Sequence, residues 1–276
     1  MPRTNGIDWA ALADEIRDGT MQLSELQRIA LCRKLTKLVE FLETSLCCHR
    51  DLSCGNVFID CHTWEVCLID FDSLYHPSLS MPQATTCGTP GYIPHLAWNN
   101  GKLDSRRTWC QYVDRFALAL LNTEFLLVRP GFKITGEGGI FDQDELRKQS
   151  GTGINSVMRA LKSKYPYAAQ LLDAAIHSSS FSDCPSPHDW NSFYNMVPGL
   201  VFRPPSPSDI SRVTPEDLAK KLARCKPAIP PWPAPSLDEM TSKTRHIPKT
   251  KRGQRSCFDF LSNQWKKVNG IWRIES

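Results

Sequence analysis

Two aspartates and an asparagine stand where two short apolar runs begin and end, a placement that could hold a hard cation. His49-Arg50-Asp51-Leu52-Ser53-Cys54-Gly55-Asn56 leads into Val57-Phe58-Ile59, and Val66-Cys67-Leu68-Ile69 leads into Asp70-Phe71-Asp72. Both runs are rich in β-branched or aromatic residues, and a polar connection with His62, Thr63 and Glu65 separates them. They read as a small antiparallel hairpin. Antiparallel pairing brings Asn56 and Asp70 to the same end of it, with Asp51 on the loop that feeds it. Two carboxylates and an amide oxygen converging there suit Mg²⁺, with phosphate oxygens completing the shell. The plainer alternative is a solvated loop with ordinary caps.

Helices must position this hairpin. Ser24-Glu25-Leu26-Gln27 resembles a capping box, and Leu31, Leu35, Leu38 and Leu42 recur at one-face spacing, which predicts a helix over about 24–45. Val113–Val128 is apolar on most of its circumference and predicts a helix buried inside the domain. Helical patterns follow at about 142–149, 154–163, 166–177 and 187–196. The expected fold class is α+β, mostly α, with one hairpin near the front. Cys54, Cys61 and Cys67 alternate with apolar residues around that hairpin and read as core or half-buried thiols rather than metal ligands. Gly136-Glu137-Gly138-Gly139 has no strand before it and reads as a turn.

At 276 residues, 41% apolar and 22% charged, the chain can bury a domain-sized core. No apolar run is long enough to span a membrane, and no apolar stretch of a secretory signal follows Met1. The eleven cysteines contain no C-x-x-C pair, which argues for a reduced, cytoplasmic protein over a disulfide framework. The net charge of +4 is unevenly placed. Lys243–Arg273 holds nine Lys/Arg and one acid, Asp259, so that stretch carries +8 and the remainder −4. Nine prolines in residues 204–235 deny that segment a sheet or a long helix. Only Thr214-Pro215-Glu216-Asp217 starts a short helix there, to about Arg224. The expected divisions are a folded domain over 1–200, a Pro-rich and basic linker over 201–256, and a basic, aromatic segment over 257–276. That last segment has aromatics enough to dock on the domain or on an acidic partner. Its cations leave nucleic acid as a further possible partner.

His49–Asn56 matches the H-R-D-L-x-x-x-N string of the protein kinase family at every fixed position, and Leu68-Ile69-Asp70-Phe71 follows it. Downstream, Gly88-Thr89-Pro90-Gly91-Tyr92-Ile93-Pro94 resembles the family's peptide-receiving loop, and Asp114 its central-helix aspartate, which bonds the catalytic-loop backbone. The resemblance covers residues 1 to about 197. It implies a protein kinase-like C-terminal lobe in which Asp51 accepts the proton of a substrate hydroxyl. Asn56 and Asp70 would then hold Mg²⁺ on ATP. Arg50 would pair with a phosphorylated activation segment, with Thr85, Thr86 and Thr89 as candidates, and Thr89 favours Ser/Thr substrates. His49 is expected to pack and hold the loop rather than to act as a base.

The departures from that family are specific. Ser53 replaces a lysine near the γ-phosphate. Asp72 replaces the glycine of D-F-G, at an expected cost in backbone freedom, and could add a third carboxylate. Leu96 and Cys184 stand where the family pairs a Glu with an Arg, so both charges are lost together. No glycine-rich strand or V-A-I-K-like strand precedes His49. The expectation is therefore a Ser/Thr phosphotransferase whose N-lobe is truncated from this chain or supplied elsewhere, acting on a protein substrate. The alternative is a pseudokinase-like module that scaffolds a regulatory protein without catalysis.

Overall fold

In a computed structural model, the described residues are 6–82, 85–132 and 139–196, together with the backbone of 265–268 and 271–274. The chain divides into two units, Thr4–Leu200 and Met1–Arg3 with Val201–Ser276. The first is α-rich with small sheets. It begins with strand β1 (Ile7–Asp8), helix α1 (Trp9–Arg17) and helix α2 (Glu25–Thr44). Ser24 and Gln27 close the capping box that starts α2, each bonding the other's backbone N–H. Leu31, Leu35 and Leu42 are buried on its inner face, with Leu38 half-buried beside them.

Strands β2 (Val57–Ile59) and β3 (Val66–Leu68) form the expected hairpin, with Val57 opposite Leu68 and Ile59 opposite Val66. β1 adds a third strand that sequence reading did not anticipate, Ile7 opposite Ile59 and Asp8 opposite Phe58. Two residues are too few to show a period of two; the unpaired edge of β2 makes this strand. The side chain of Asp8 then caps α1 by accepting from Ala11 N.

Helix α3 (Asp114–Leu127) runs through the middle and is buried almost all round. It packs against α2, α5 (Thr152–Lys164) and α6 (Pro166–Ile176). Helix α7 (Pro187–Met196) lies on α2, and the short α4 (Gln143–Lys148) precedes α5. All four later helices fall where periodicity predicted them. A second small hairpin, β4 (Trp98–Asn99) and β5 (Lys102–Leu103), turns on Asn100-Gly101, both left-handed at φ 49° and 77°. Cys54 is buried and Cys61 half-buried as expected, whereas Cys67 is exposed because it sits at the outward position of β3.

In the second unit, β6 (Trp265–Val268) and β7 (Ile271–Ile274) pair antiparallel, with Val268 opposite Ile271. Sequence reading placed no strand there, although the intervening Asn269-Gly270 is the strongest short hairpin signal. The helix expected over 214–224 and all of the Gly136 turn except Gly139 lie outside the described residues. No helix among the described residues is long and apolar enough to cross a membrane.

Candidate active site

The His49–Asn56 loop is built around one buried carboxylate. Asp114, at the start of α3, accepts from His49 N at 2.6 Å and Arg50 N at 2.8 Å. To present both N–H groups to the same acid, Arg50 takes a left-handed backbone, φ 68°, which costs a side-chain-bearing residue roughly 1–2 kcal/mol. Burial pushes the Asp114 carboxyl up, against the opposing pull of His49, the two N–H groups and the Arg50 charge. The expected central-helix contact is thus present.

The Arg50 side chain is also buried. Its guanidinium lies 4.6 Å over the Trp109 ring and donates to the Thr108 and Ser73 carbonyls, the Thr108 and Thr85 hydroxyls and the Thr86 carbonyl. Every one of those acceptors is neutral. His49 is fully buried. Its Nδ1 accepts from Asp51 N at 3.3 Å, which leaves Nε2–H, by assignment from these partners, to donate to Ile69 O at 2.7 Å. His49 therefore ties the loop that carries Asp51 to the strand end that carries Asp70, and it is no free base.

Ile69 N donates to Asn56 O at 3.1 Å, so Asn56 and Asp70 do share one end of the hairpin. Asn56 Nδ2 donates to the Asp51 carbonyl at 2.7 Å, and Oδ1 accepts no hydrogen bond among the described residues. Asp70 is exposed, with φ 62°, and its carboxylate makes no hydrogen bond among the described residues. One unused amide oxygen and one unused carboxylate fit a hard cation carrying phosphate. The left-handed residue in this stretch is Asp70 and not Asp72, which lies in the ordinary 3₁₀ turn Phe71–Ser73. The backbone cost expected at Asp72 is therefore absent. Ser53 is buried and brings no cation to the site.

The Gly88–Pro94 loop reaches Asp51 through Thr89, whose hydroxyl donates to Asp51 Oδ1 at 2.7 Å. Two side chains that sequence reading missed hold the rest of it. Gln143, first residue of α4, accepts from Gly91 N at 2.8 Å and Ile93 N at 3.3 Å through Oε1, and donates to Ile93 O at 2.9 Å through Nε2. Glu124, buried in α3, accepts from Trp9 Nε1 at 2.8 Å, Tyr92 Oη at 2.9 Å and Ile140 N at 3.2 Å. A Cβ at Gly139 would stand 2.4 Å from Glu124 Oε1, so only glycine lets the chain pass this carboxylate. A glutamate closing the polar interruption Asn122-Thr123-Glu124 of the apolar run Phe116–Val128 was the available signal.

Burial raises the Glu124 carboxyl to about 7, partly offset by its Tyr92, Trp9 and Ile140 donors. A folded-state value above the unfolded one means that the native state holds the proton more tightly between about pH 4.5 and 7. Stability contributed by protonated Glu124 is thus lost as pH rises through that window, on the order of 3 kcal/mol in all. Asp114, also raised, acts in the same sense. Glu124→Gln cannot ionise, so the difference in denaturation midpoint between it and the parent should shift in the variant's favour from pH 5 to 8. A pH-independent difference in urea titrations would show that Glu124 does not titrate in this window.

Neutral contacts surround the neighbourhood of Leu96 and Cys184. His95 Nε2 bonds Ser178 O at 2.9 Å, and the buried Cys184 Sγ lies 3.1 Å from Ser178 Oγ. Beside them Arg115 joins Glu43 to the Ser182 carbonyl at 3.0 Å. No isolated charge is left buried at Leu96 and Cys184.

No protein-family model matches the chain. It is 25% identical over 191 residues to the phosphorylase b kinase gamma catalytic chain, liver/testis isoform, of Rattus norvegicus, across 66% of this chain and 46% of that one. The chain therefore spans about half the length of that curated relative. That match suggests a distant, kinase-like relationship at most.

Proposed function

We propose that this chain forms the C-lobe half of an ATP- and Mg²⁺-dependent phosphotransferase that acts on Ser or Thr of a protein substrate. The observation that carries this reading is the Asp114 carboxylate, which grips two consecutive backbone N–H groups and so directs the next residue, Asp51, to Thr89. Asp51 orients the substrate hydroxyl and takes its proton, and Thr89 is displaced or shares that oxygen when substrate enters. Asn56 Oδ1 and the Asp70 carboxylate would hold Mg²⁺ on ATP, which would supply the phosphoryl group and leave as ADP, with the cation offsetting the phosphate charge. A phosphate on Thr85 would give Arg50 the anionic partner that its neutral acceptors do not provide. The described residues before His49 form β1, α1 and α2, and the reading supposes a nucleotide-gripping lobe in addition, from a longer form of this protein or from another polypeptide.

The second reading, a binding module without catalysis, is favoured by Ser53. It is buried and uncharged where the family places a cation on the γ-phosphate. Transfer of labelled phosphate from Mg-ATP to Ser/Thr peptides separates the two. The chain alone should bind Mg-ATP weakly, and the chain completed with a nucleotide-gripping lobe should turn over. Completed protein that binds Mg-ATP but transfers nothing would leave the binding module standing.

A further inference from the structure

Beside the Gly88–Pro94 loop lies a surface rich in cations whose charges are mostly uncompensated. Gln143 and Arg147 stand four residues apart on one face of α4. Gln143 holds Gly91 and Ile93, while Arg147 lies 5.2 Å over the ring of Trp98, four residues after the loop ends. Arg107 reaches the same tryptophan from the other direction and bonds its carbonyl oxygen. Two guanidinium groups thus converge on one residue. Lys102, on β5 opposite Asn99, and Lys148, next to Arg147, add two exposed ammonium groups. The nearby acids are already engaged, Asp104 with Arg106, Asp144 with Arg147, and Asp142 and Glu145 with backbone N–H groups of α4 and α5. Among the described residues Lys102, Arg107 and Lys148 have no carboxylate partner. Arg147 Nε and Trp98 Nε1 are in addition buried donors without an acceptor.

We propose that Lys102 and Arg107, beside the Trp98 ring that Arg147 covers, bind an acidic segment of the protein substrate, one rich in Asp and Glu near the accepting hydroxyl. This rests on reading the Gly88–Pro94 loop as the peptide-receiving element. Charge complementarity identifies the occupant, because a neutral or basic peptide would leave Lys102 and Arg107 without a carboxylate partner. The attraction is between exposed groups and so is screened by salt.

The test uses the full chain and two fluorescein-labelled peptides with the same central serine, one flanked by Glu and Asp and one by Gln and Asn, compared by anisotropy. The acidic peptide should bind more tightly at low salt, by roughly two- to tenfold, as expected for one or two exposed ion pairs. The gap should narrow in high salt and vanish in Lys102→Glu/Arg107→Glu. Lys102→Glu alone alters no contact within the fold and should narrow the gap part-way, which guards against misfolding of the double variant. Equal binding of the two peptides, binding of neither, or a gap that survives both reversals would overturn the proposal. Displacement of the acidic peptide by a single-stranded oligonucleotide of higher affinity would overturn it in favour of nucleic acid. Phosphate transfer is scored separately. Transfer without charge preference sinks this surface alone, whereas charge preference without transfer, even in the completed protein, sinks the phosphotransferase alone.

Discussion

Asp51→Asn is expected to lower phosphate transfer by about 10²–10⁴-fold, the usual contribution of a positioned proton acceptor, in protein completed with a nucleotide-gripping lobe. The replacement is isosteric. Its amide oxygen can still accept from the Thr89 hydroxyl, which lies 2.7 Å from Asp51 Oδ1, and the backbone carbonyl that receives Asn56 Nδ2 is untouched. Asp51 is only half-buried, so the fold loses little when its charge is removed. The expected outcome is therefore an inactive protein with an unaltered melting temperature and unaltered peptide binding. Single-turnover assays beside thermal melts read both quantities. Turnover equal to that of the parent would remove Asp51 from the mechanism.

Asp114→Ala should act in the opposite proportion, through stability first. It strands the N–H groups of His49 and Arg50 in a buried site, at about 1–3 kcal/mol for each unpaired donor. It also removes the reason for Arg50 to hold a left-handed backbone. A total near 2–6 kcal/mol corresponds to a fall of roughly 2–4 °C in Tm per kcal/mol for a domain of this size. Below the new midpoint the His49–Asn56 loop should exchange its amide hydrogens faster than the parent while α3 remains protected. Asp114→Asn keeps one acceptor and should fall between the two. A melt of Asp114→Ala within a degree of the parent would show that water replaces the carboxylate and that the loop is held by other contacts.

Much of this architecture was legible because its signals are local. The capping box at Ser24, the spacing of Leu31, Leu35 and Leu42, and the apolar circumference of Phe116–Val128 each sit within one helix. Periodicity reports a helix of that length directly. The hairpin was legible for a related reason. Once Val57–Ile59 and Val66–Leu68 pair antiparallel, the positions of Asn56 and Asp70 follow from register alone. β1 escaped because it is two residues long, and β6 with β7 because neither Trp265–Val268 nor Ile271–Ile274 shows a period of two, although Asn269-Gly270 stands between them.

By itself, then, the sequence determined the helices, the hairpin and the candidate set Asp51, Asn56 and Asp70. Each depends on residues within about twenty positions of one another. Only the tertiary structure decided what the side chains meet. It placed Glu124 against Trp9, 115 residues away, and Tyr92, 32 away, and so turned an interruption in an apolar helix into the buried anchor of the loop. It set Gln143 against Gly91 and Ile93, gave Arg50 a cage of neutral oxygens, and put the left-handed turn at Asp70 rather than Asp72. Periodicity records which face of an element is apolar. It carries no information on which donor from a distant element will satisfy a polar group inside, because that partner is chosen by packing, and a buried carboxylate must find one wherever it lies in the chain.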